Sequence, residues 1–577
     1  MPPSVDYSVY LVTDSTPAIL GPGRTVVDVV GAALAEPEKK HVGIVQLREK
    51  DTDARTMLEN LKALHAFTAP AGAPLVVNDR VDVAVVAMAR GHCEGVHLGQ
   101  DDIDVATARK LLGAEAIIGV SASTIDEAVT ACRDGADYLG LGSVFPTTTK
   151  TNAKHLVGTP GIQRMLQAMV EAGFGHIPTV CIGGIQTSNA RRVLFQSGYR
   201  PVAASAETTA PPAKELDGVA VVSAIMAAAD PGAAAAALAE QVRLSKTQGP
   251  TDFYRALPPC SVQARSAQAS PASVQRILQA LHETTPLSHN MTNLVVQNIA
   301  ANVALAVGAS PIMANSGDEA ADLARLPGSS LVINMGSATP EGIANYSKAI
   351  AAYNAAGRPI IFDPVGAGAT ATRRAAVRAI MASGYLDVIK GNEGEIQTVY
   401  LSGLCDEDRA RETAEAGPLQ QQRGVDGGNA LDAAARRRLV SRLAAREKCV
   451  VVLTGAIDYV SDSRGVRVAE VADGHPILGE VTGTGCCLGT VLSATVAAAA
   501  NLRRADKEGN TGDGEQGAEE IDTFTAVLAG MALYERAAAR AAVMPSVSGP
   551  GTFVPAFLDE LSRCRRAAAA NDMSWLA

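Results

Sequence analysis

Eight short apolar runs punctuate the first 230 residues, at 7–13, 42–46, 75–78, 95–98, 117–120, 138–140, 179–182 and 218–222, and amphipathic stretches separate them. β-Branched runs of this length read as strands and the stretches between them as helices, so the pattern predicts βα units around a parallel sheet. Eight strands is the number that closes a TIM (β/α)8 barrel, the expected fold of this part.

From about residue 245 to 270 the periodicity fades into Pro, Ser, Gln and Gly, with Pro258-Pro259 and Ser270-Pro271 as turn signals. The expected organisation is a barrel over 1–245, a connection over 246–271 and a second domain over 272–577. In that second domain strand-like runs at 330–334, 359–363, 388–390 and 450–454 alternate with Ala-rich helices, and longer helical runs follow at 491–500 and 524–542. This is again α/β, more open in pattern. Two polar or Gly-rich stretches, 405–430 and 503–521, carry little hydrophobic period and are expected to be surface loops.

Size agrees with two domains, because single cores stop growing near ~250 to 300 residues and this chain has 577, of which 47% are hydrophobic. A net charge of −10 argues against sequence-independent nucleic-acid binding, which needs a basic surface to replace counterions. The first residues lack a basic stretch followed by an apolar run, so no export signal is read there. The longest apolar stretches, 219–229 and 491–500, fall short of the roughly 20 residues a membrane helix needs and are expected to be core helices. Nine scattered cysteines without paired metal-ligand spacing fit a reducing, cytoplasmic setting.

Functional side chains of a TIM barrel sit at the carboxyl ends of its strands. After the second strand come Gln46, Arg48 and Lys50, alternate residues that share one face of an extended segment. Two cations and an amide donor aimed together suit a diphosphate. The third strand is followed by Asn78-Asp79-Arg80 and the fourth by His97-Leu98-Gly99-Gln100-Asp101-Asp102. Carboxylates from neighbouring strand ends can hold Mg²⁺, and Asp79 and Asp102 are the candidates. Ser121 follows the fifth strand; Thr147, Thr149 and Lys150 follow the sixth. The seventh ends in Gly183-Gly184 and the eighth in Val222-Ser223, where late-strand backbone amides commonly cradle phosphate. Singly, each feature also fits a solvated strand end or a turn. Their placement at successive strand ends favours a site.

The signatures QLREK, NDR, HLGQDD, GVSAST, FPTTTK, IGGI and VVSAI together give residues 1–230 a resemblance to thiamine phosphate synthase. That resemblance implies that Gln46, Arg48, Lys50, Asn78, Ser121 and Lys150 bind hydroxymethylpyrimidine diphosphate, with Asp79 and Asp102 as Mg²⁺ ligands. It assigns Thr147, Thr149, Gly184, Val222 and Ser223 to the thiazole phosphate. It also implies a dissociative reaction in which diphosphate leaves, a pyrimidine-methyl cation forms and the thiazole nitrogen attacks it. Arg48, Lys50 and Lys150 would then act catalytically by stabilising the departing diphosphate.

In the second half, a Gly-rich turn at 481–489 runs into an apolar helix, an arrangement that turns backbone amides toward an anion. It is not a Walker A loop, because the GK[ST] ending is absent. Other strand ends carry Asp363, Lys390, Glu395 and Thr454. Asp363 and Glu395 could order Mg²⁺ and water near nucleotide phosphates or, more blandly, cap the helices they precede. With Ser288-His289-Asn290-Met291-Thr292-Asn293 and Gly308-Ala309-Ser310-Pro311-Ile312-Met313, these pieces resemble hydroxyethylthiazole kinase, a ribokinase-like α/β fold, over about 272–565. The resemblance implies that Met313 and Gly483, with Asn293, contact the thiazole. It places Lys390 and Thr454 at ATP, and Cys486 before the hydroxyl being phosphorylated. Many ribokinase-like enzymes carry Asp at that position, and a thiol is the weaker base unless the helix terminus lowers its pKa. Cys487 is expected to be a packing residue.

The joint expectation is a bifunctional transferase whose kinase makes the thiazole phosphate that its barrel consumes. Its expected ligands are small molecules: hydroxyethylthiazole and its phosphate, hydroxymethylpyrimidine diphosphate, ATP and Mg²⁺, with no nucleic acid and no membrane. The alternative is that only one domain is catalytic and the other binds ligand or drives assembly. The kinase resemblance implies a homo-oligomer, a trimer or a hexamer.

Overall fold

A computed structural model describes the chain except for residues 1–4, 51, 146, 148–156, 200–211, 248–268, 337, 405–430, 510–520 and 577. It divides into two compact units, Met1–Pro250 and Thr251–Ala577.

In the first unit eight described strands, β1 (Val9–Val12), β2 (Ile44–Leu47), β3 (Leu75–Asn78), β4 (Gly95–Leu98), β5 (Ile117–Ala122), β6 (Tyr138–Gly142), β7 (Thr179–Ile182) and β8 (Gly218–Val221), pair in sequence order. β8 returns to β1 to close a parallel barrel. Strand side chains alternate between faces. Val9, Leu11, Val45, Leu47, Leu75 and Val77 pack outward under the helices, while Tyr10, Ile44, Val76, Ile117, Tyr138 and Val180 fill the interior. Two residues beyond Ile44 and Val76, on the same interior face, stand Gln46 and Asn78. The same parity brings His97 and Ser121 inward from β4 and β5. The polar strand ends thus look into the barrel mouth because the apolar residues behind them already face the axis. Several helices are fixed by their first turns: Thr25 with Asp28 and Thr124 with Glu127 form capping boxes, and Asp53 and Asp104 accept from helical amides.

The second unit is built on one sheet of strands β9 (Leu287–Met291), β10 (Ser310–Ile312), β11 (Ser330–Asn334), β12 (Ile360–Asp363), β13 (Val388–Asn392), β14 (Val450–Thr454), β15 (Asp458–Ser461) and β16 (Val468–Val471). Their order is β10-β9-β11-β12-β13-β14-β15-β16, parallel through β14, with β15 and β16 antiparallel. The chain steps from β9 outward to β10 and then returns to β11 on β9's other side. Such a reversal opens a crevice at the carboxyl ends of an α/β sheet. This mixed α/β sheet fits the ribokinase-like expectation.

The sequence pattern located β11 to β14 and missed β9, β10, β15 and β16 as strands. β9 reads Leu-Ser-His-Asn-Met, and its three polar residues are buried, so it shows neither an apolar run nor an alternation. β15 and β16 are four residues each and form an edge hairpin. A second difference concerns 503–521: the helix Thr484–Gly509 continues through the first seven of these residues, which were expected to be loop. Arg, Ala, Lys and Glu there are strong helix formers, and lack of an apolar stripe does not prevent a helix from continuing. The other expected loop, 405–430, lies outside the described residues. The same helix is longer than its apolar run suggested, and Thr484–Ala505 is long and apolar enough to cross a membrane. Yet 72% of that window is buried inside the unit, as a core helix would be.

Candidate active sites

The barrel mouth gathers most of the expected residues. Gln46 donates through Nε2 to Asn78 Oδ1 at 2.8 Å, joining the ends of β2 and β3. Arg48 is tied through its backbone to Thr13 Oγ1 at 2.9 Å, and its guanidinium lies 3.8 Å from Asp14 at the end of β1. Glu49, between the two cations, faces away and is held by Asn60 at 3.1 Å. Asp79 has a left-handed backbone (φ 66), an uncommon conformation for a residue with a side chain. The Asp102 carboxyl, from the neighbouring strand end, acts on the Asp79 carboxyl electrostatically. Burial and then Asp102 raise Asp79 above the usual carboxylate range, while Arg80 and Lys50 oppose the rise. Asp102 itself is aimed by Gly99, whose amide donates to Oδ2 at 2.6 Å.

Ser121 sits on β5 with its hydroxyl 2.9 Å from His97 Nε2. On the far side, Gly183 and Gly184 both have positive φ, and the Gly184 carbonyl accepts from Asn189 at 2.9 Å. Gln186 reaches Ser223 Oγ at 3.3 Å, linking the loops after β7 and β8. Val222 immediately precedes the short helix Ser223–Met226. Thr147 is half-buried in the loop after β6; Thr149 and Lys150 lie outside the described residues. Strand-end reading missed Asp14, although it follows the first run directly, and it missed Gln186 and Asn189, which come from the loop body.

In the second unit the carboxyl ends of β11, β12 and β13 converge on the start of the helix Thr484–Gly509. Lys390 Nζ lies 3.2 Å from Asp363 Oδ2 and donates to the Gly485 carbonyl at 2.8 Å. Asn334 donates to the same Asp363 oxygen at 3.1 Å and accepts from Asn293 at 3.0 Å. It also acts on the Cys486 thiol, in the direction that lowers its pKa. Asn334 was not among the sequence candidates, although it ends the run 330–334 and the strand-end rule would have found it. Glu395 accepts from Gly366 at 2.7 Å and from Asn392 at 2.9 Å. It is the third residue of its helix and half of a capping box with Asn392, so part of its role is structural. Asp363 caps no helix, since Thr370 caps the next one. Its Oδ1 is buried with no hydrogen-bond partner.

Burial raises Asp363, and Lys390 opposes the rise. Burial alone would lower the Lys390 ammonium, but Asp363, Cys486 and Glu395 outweigh it and hold it above the usual lysine range. Burial and Asp363 push Glu395 up to about 7. Cys486 is pushed up to about 11 by burial and then Asp363, against the pull of Lys390, so the helix terminus does not make it a thiolate. Cys487 is buried in the core. Gly483 has φ +90, and a Cβ there would stand 2.5 Å from Val296, so the turn admits only glycine without strain. Met313 follows β10 and is partly buried against the core; Thr454 ends β14 opposite Asn392.

The chain matches the thiamine monophosphate synthase family over residues 9–225 and the hydroxyethylthiazole kinase family over 278–508. It is 35% identical over 582 residues to the probable thiamine biosynthetic bifunctional enzyme of Schizosaccharomyces pombe, covering 99% of this chain and 98% of that protein. Identity to the thiamine biosynthetic bifunctional enzyme of Saccharomyces cerevisiae is 35% over 517 residues, with 85% and 87% covered. Identity to the thiamine-phosphate synthase of Chloroflexus aurantiacus is 42% over 242 residues, 42% of this chain and 95% of that one.

Proposed function

The chain belongs to the family of bifunctional thiamine biosynthetic enzymes, and from that premise we propose how its two sites divide the chemistry. It is a transferase with a thiamine-phosphate synthase unit and a thiazole kinase unit, the latter using ATP as co-substrate.

In the barrel, Gln46, Asn78 and Ser121 hold the pyrimidine, and Arg48, Lys50 and Lys150 grip its diphosphate. Thr147, Thr149, Gly184, Val222 and Ser223 hold the thiazole phosphate. Asp79 and Asp102 fit Mg²⁺: two hard oxygen donors crowd one another, and such an ion takes one or two carboxylates plus phosphate oxygens. Among the described residues no cluster of three or more His, Cys, Asp or Glu competes with this pair. Bound there, the ion supplies charge stabilisation to the leaving diphosphate. Arg48 and Lys50 add to it, and Asp14 orients Arg48.

In the kinase, Met313, Asn293 and Gly483 position the thiazole with its alcohol at Cys486. Lys390 and Thr454 serve ATP, and the unpartnered Oδ1 of Asp363, backed by Glu395, fits a second Mg²⁺ site. The Cys486 thiol stays protonated at neutral pH and acts by placing the alcohol. This suffices because phosphoryl transfer is largely dissociative and depends on position and charge more than on a strong base. Leu294 and Val295, 83% and 74% exposed directly after Asn293, favour a subunit contact beside the thiazole site; the trimer or hexamer proposed for it rests on the kinase resemblance. The proposed location is the cytoplasm.

The observation that carries this reading is the convergence of Asn293, Asn334, Asp363, Lys390 and Cys486 in one unit and of Gln46, Asn78, Asp79 and Asp102 in the other. The test is to supply substrates singly to the purified chain. Thiazole alcohol with ATP should give thiazole phosphate, and thiazole phosphate with pyrimidine diphosphate should give thiamine phosphate without ATP. Loss of the second product when ATP is omitted would contradict the division.

A further inference from the structure

Beneath the barrel mouth runs a continuous chain of buried polar side chains. Gln46 Oε1 accepts from the Tyr10 hydroxyl at 3.2 Å, and the Tyr10 and Tyr138 hydroxyls lie 2.7 Å apart. The Tyr138 hydroxyl lies 2.9 Å from His97 Nδ1, and His97 Nε2 lies 2.9 Å from Ser121 Oγ. Both ends of this chain, Gln46 and Ser121, open on the pyrimidine site proposed above. The barrel makes room for it with glycine. A Cβ at Gly119 would stand 2.0 Å from the Tyr138 ring, and one at Gly140 would stand 3.2 Å from the His97 ring. Strand-interior glycine costs stability and marks a close approach of this kind.

Each hydroxyl has one proton, so the chain has one polarity. Gln46 uses its amide nitrogen on Asn78, which leaves its oxygen to accept from Tyr10. With its proton so used, Tyr10 accepts from Tyr138. Tyr138 therefore accepts from His97, whose proton sits on Nδ1. In the neutral ring Nε2 is then an acceptor, and Ser121 donates to it. The outward face of the Ser121 oxygen carries lone pairs only.

We infer that Tyr10, Tyr138 and His97 form a positioning relay that fixes the Ser121 hydroxyl as a hydrogen-bond acceptor, so the barrel selects a pyrimidine bearing a donor, an exocyclic amino group, over one bearing an oxo group. The inference rests on the assignment of this barrel as the synthase. Removing either tyrosine hydroxyl frees the imidazole to take the other tautomer, after which Ser121 can present a proton instead.

The test compares amino- and oxo-pyrimidine diphosphates as substrates of the full chain, with thiazole phosphate supplied. Wild type should favour the amino compound by roughly 100-fold or more in kcat/KM, as a site with a dedicated polar partner does. Tyr138→Phe and Tyr10→Phe should each raise KM for the amino substrate about tenfold, the worth of one hydrogen bond. They should change kcat less than KM and shrink the preference at least as much. Tyr7→Phe is the control: its ring packs 4.9 Å from that of Tyr138, but its hydroxyl is not in the chain, so the preference should stay at the wild-type value. Thermal melting checks folding, and Tyr10→Phe carries the test alone if Tyr138→Phe does not fold. A wild-type chain without synthase turnover sinks the barrel assignment and the relay with it. An active wild type whose two relay variants keep the full preference, or a Tyr7→Phe that loses it equally, overturns the relay alone.

Discussion

Lys390 and Asp363 meet at 3.2 Å at the carboxyl ends of adjacent strands, both almost fully buried, and Lys390 also holds the Gly485 carbonyl at the start of the helix that carries Cys486. One ammonium thus joins a candidate metal-binding carboxylate to the turn that frames the alcohol. The pair has to survive desolvation, and the extra bonds from Asn334 and to Gly485 compensate for it.

Lys390→Met should abolish thiazole phosphorylation and leave synthase turnover intact. It strands Asp363 without its cation, which costs roughly 3–5 kcal/mol for a broken buried pair. Adding Asp363→Asn should recover most of that stability and none of the activity. Calorimetry of the kinase transition together with a thiazole phosphorylation assay separates the two effects.

Cys486→Asp should keep or raise kinase turnover, because a carboxylate beside Lys390 is ionised and able to accept a proton at neutral pH, whereas a thiol pushed up to about 11 keeps its own. Cys486→Ala should lower turnover without lowering the melting temperature of the unit. A folded Asp variant with no activity would remove Cys486 from the role given to it.

Asp79→Asn relieves the crowding with Asp102, so the barrel should be no less stable. Its synthase rate should fall by ~100- to 1000-fold, the usual cost of losing one charge-stabilising group. The Mg²⁺ concentration for half-maximal rate should rise, which a titration at fixed substrate reads directly.

Elsewhere in the kinase unit, Asp458 and Glu535 face each other in the interior. Burial and Asp458 push Glu535 up to about 9, and burial pushes Asp458 up to about 6. An unfolded Glu loses its proton near its ordinary value of 4.5. Between that value and about 9 the folded state therefore binds more protons than the unfolded one, and stability must fall as pH rises through this window. The melting temperature of the unit should be lower at pH 9 than at pH 6. Glu535→Gln should shrink the difference by a few degrees, since its amide can donate to Asp458 without titrating.

The barrel was legible because its information is local. Continuous apolar runs mark each strand, and strand parity alone turns Gln46, Asn78 and Ser121 inward behind Ile44, Val76 and Ile117. What the pattern hid was polar residues used as core. Tyr10 and Tyr138 lie inside apolar runs and His97 was noted only as part of a strand-end run, and β9 was passed over because Ser288, His289 and Asn290 are buried through partners far along the chain, such as Ser493, Tyr353 and Thr490. Asn334 lay within reach of the strand-end rule, but its partners Asn293 and Asp363 come from other segments, and spacing did not foretell those contacts. Glu395 shows the converse. Its helix-capping role was foreseeable from spacing, whereas its bond to Gly366 was not.

The central claim is that two separate sites act in succession on one chain. It is tested most directly by following thiazole alcohol, pyrimidine diphosphate and ATP in a single reaction with two variants. Asp79→Asn should accumulate thiazole phosphate and make little thiamine phosphate. Lys390→Met should make none from the alcohol yet reach the wild-type rate once thiazole phosphate is added. A Lys390→Met chain that stays inactive with added thiazole phosphate while its barrel remains folded would contradict the account.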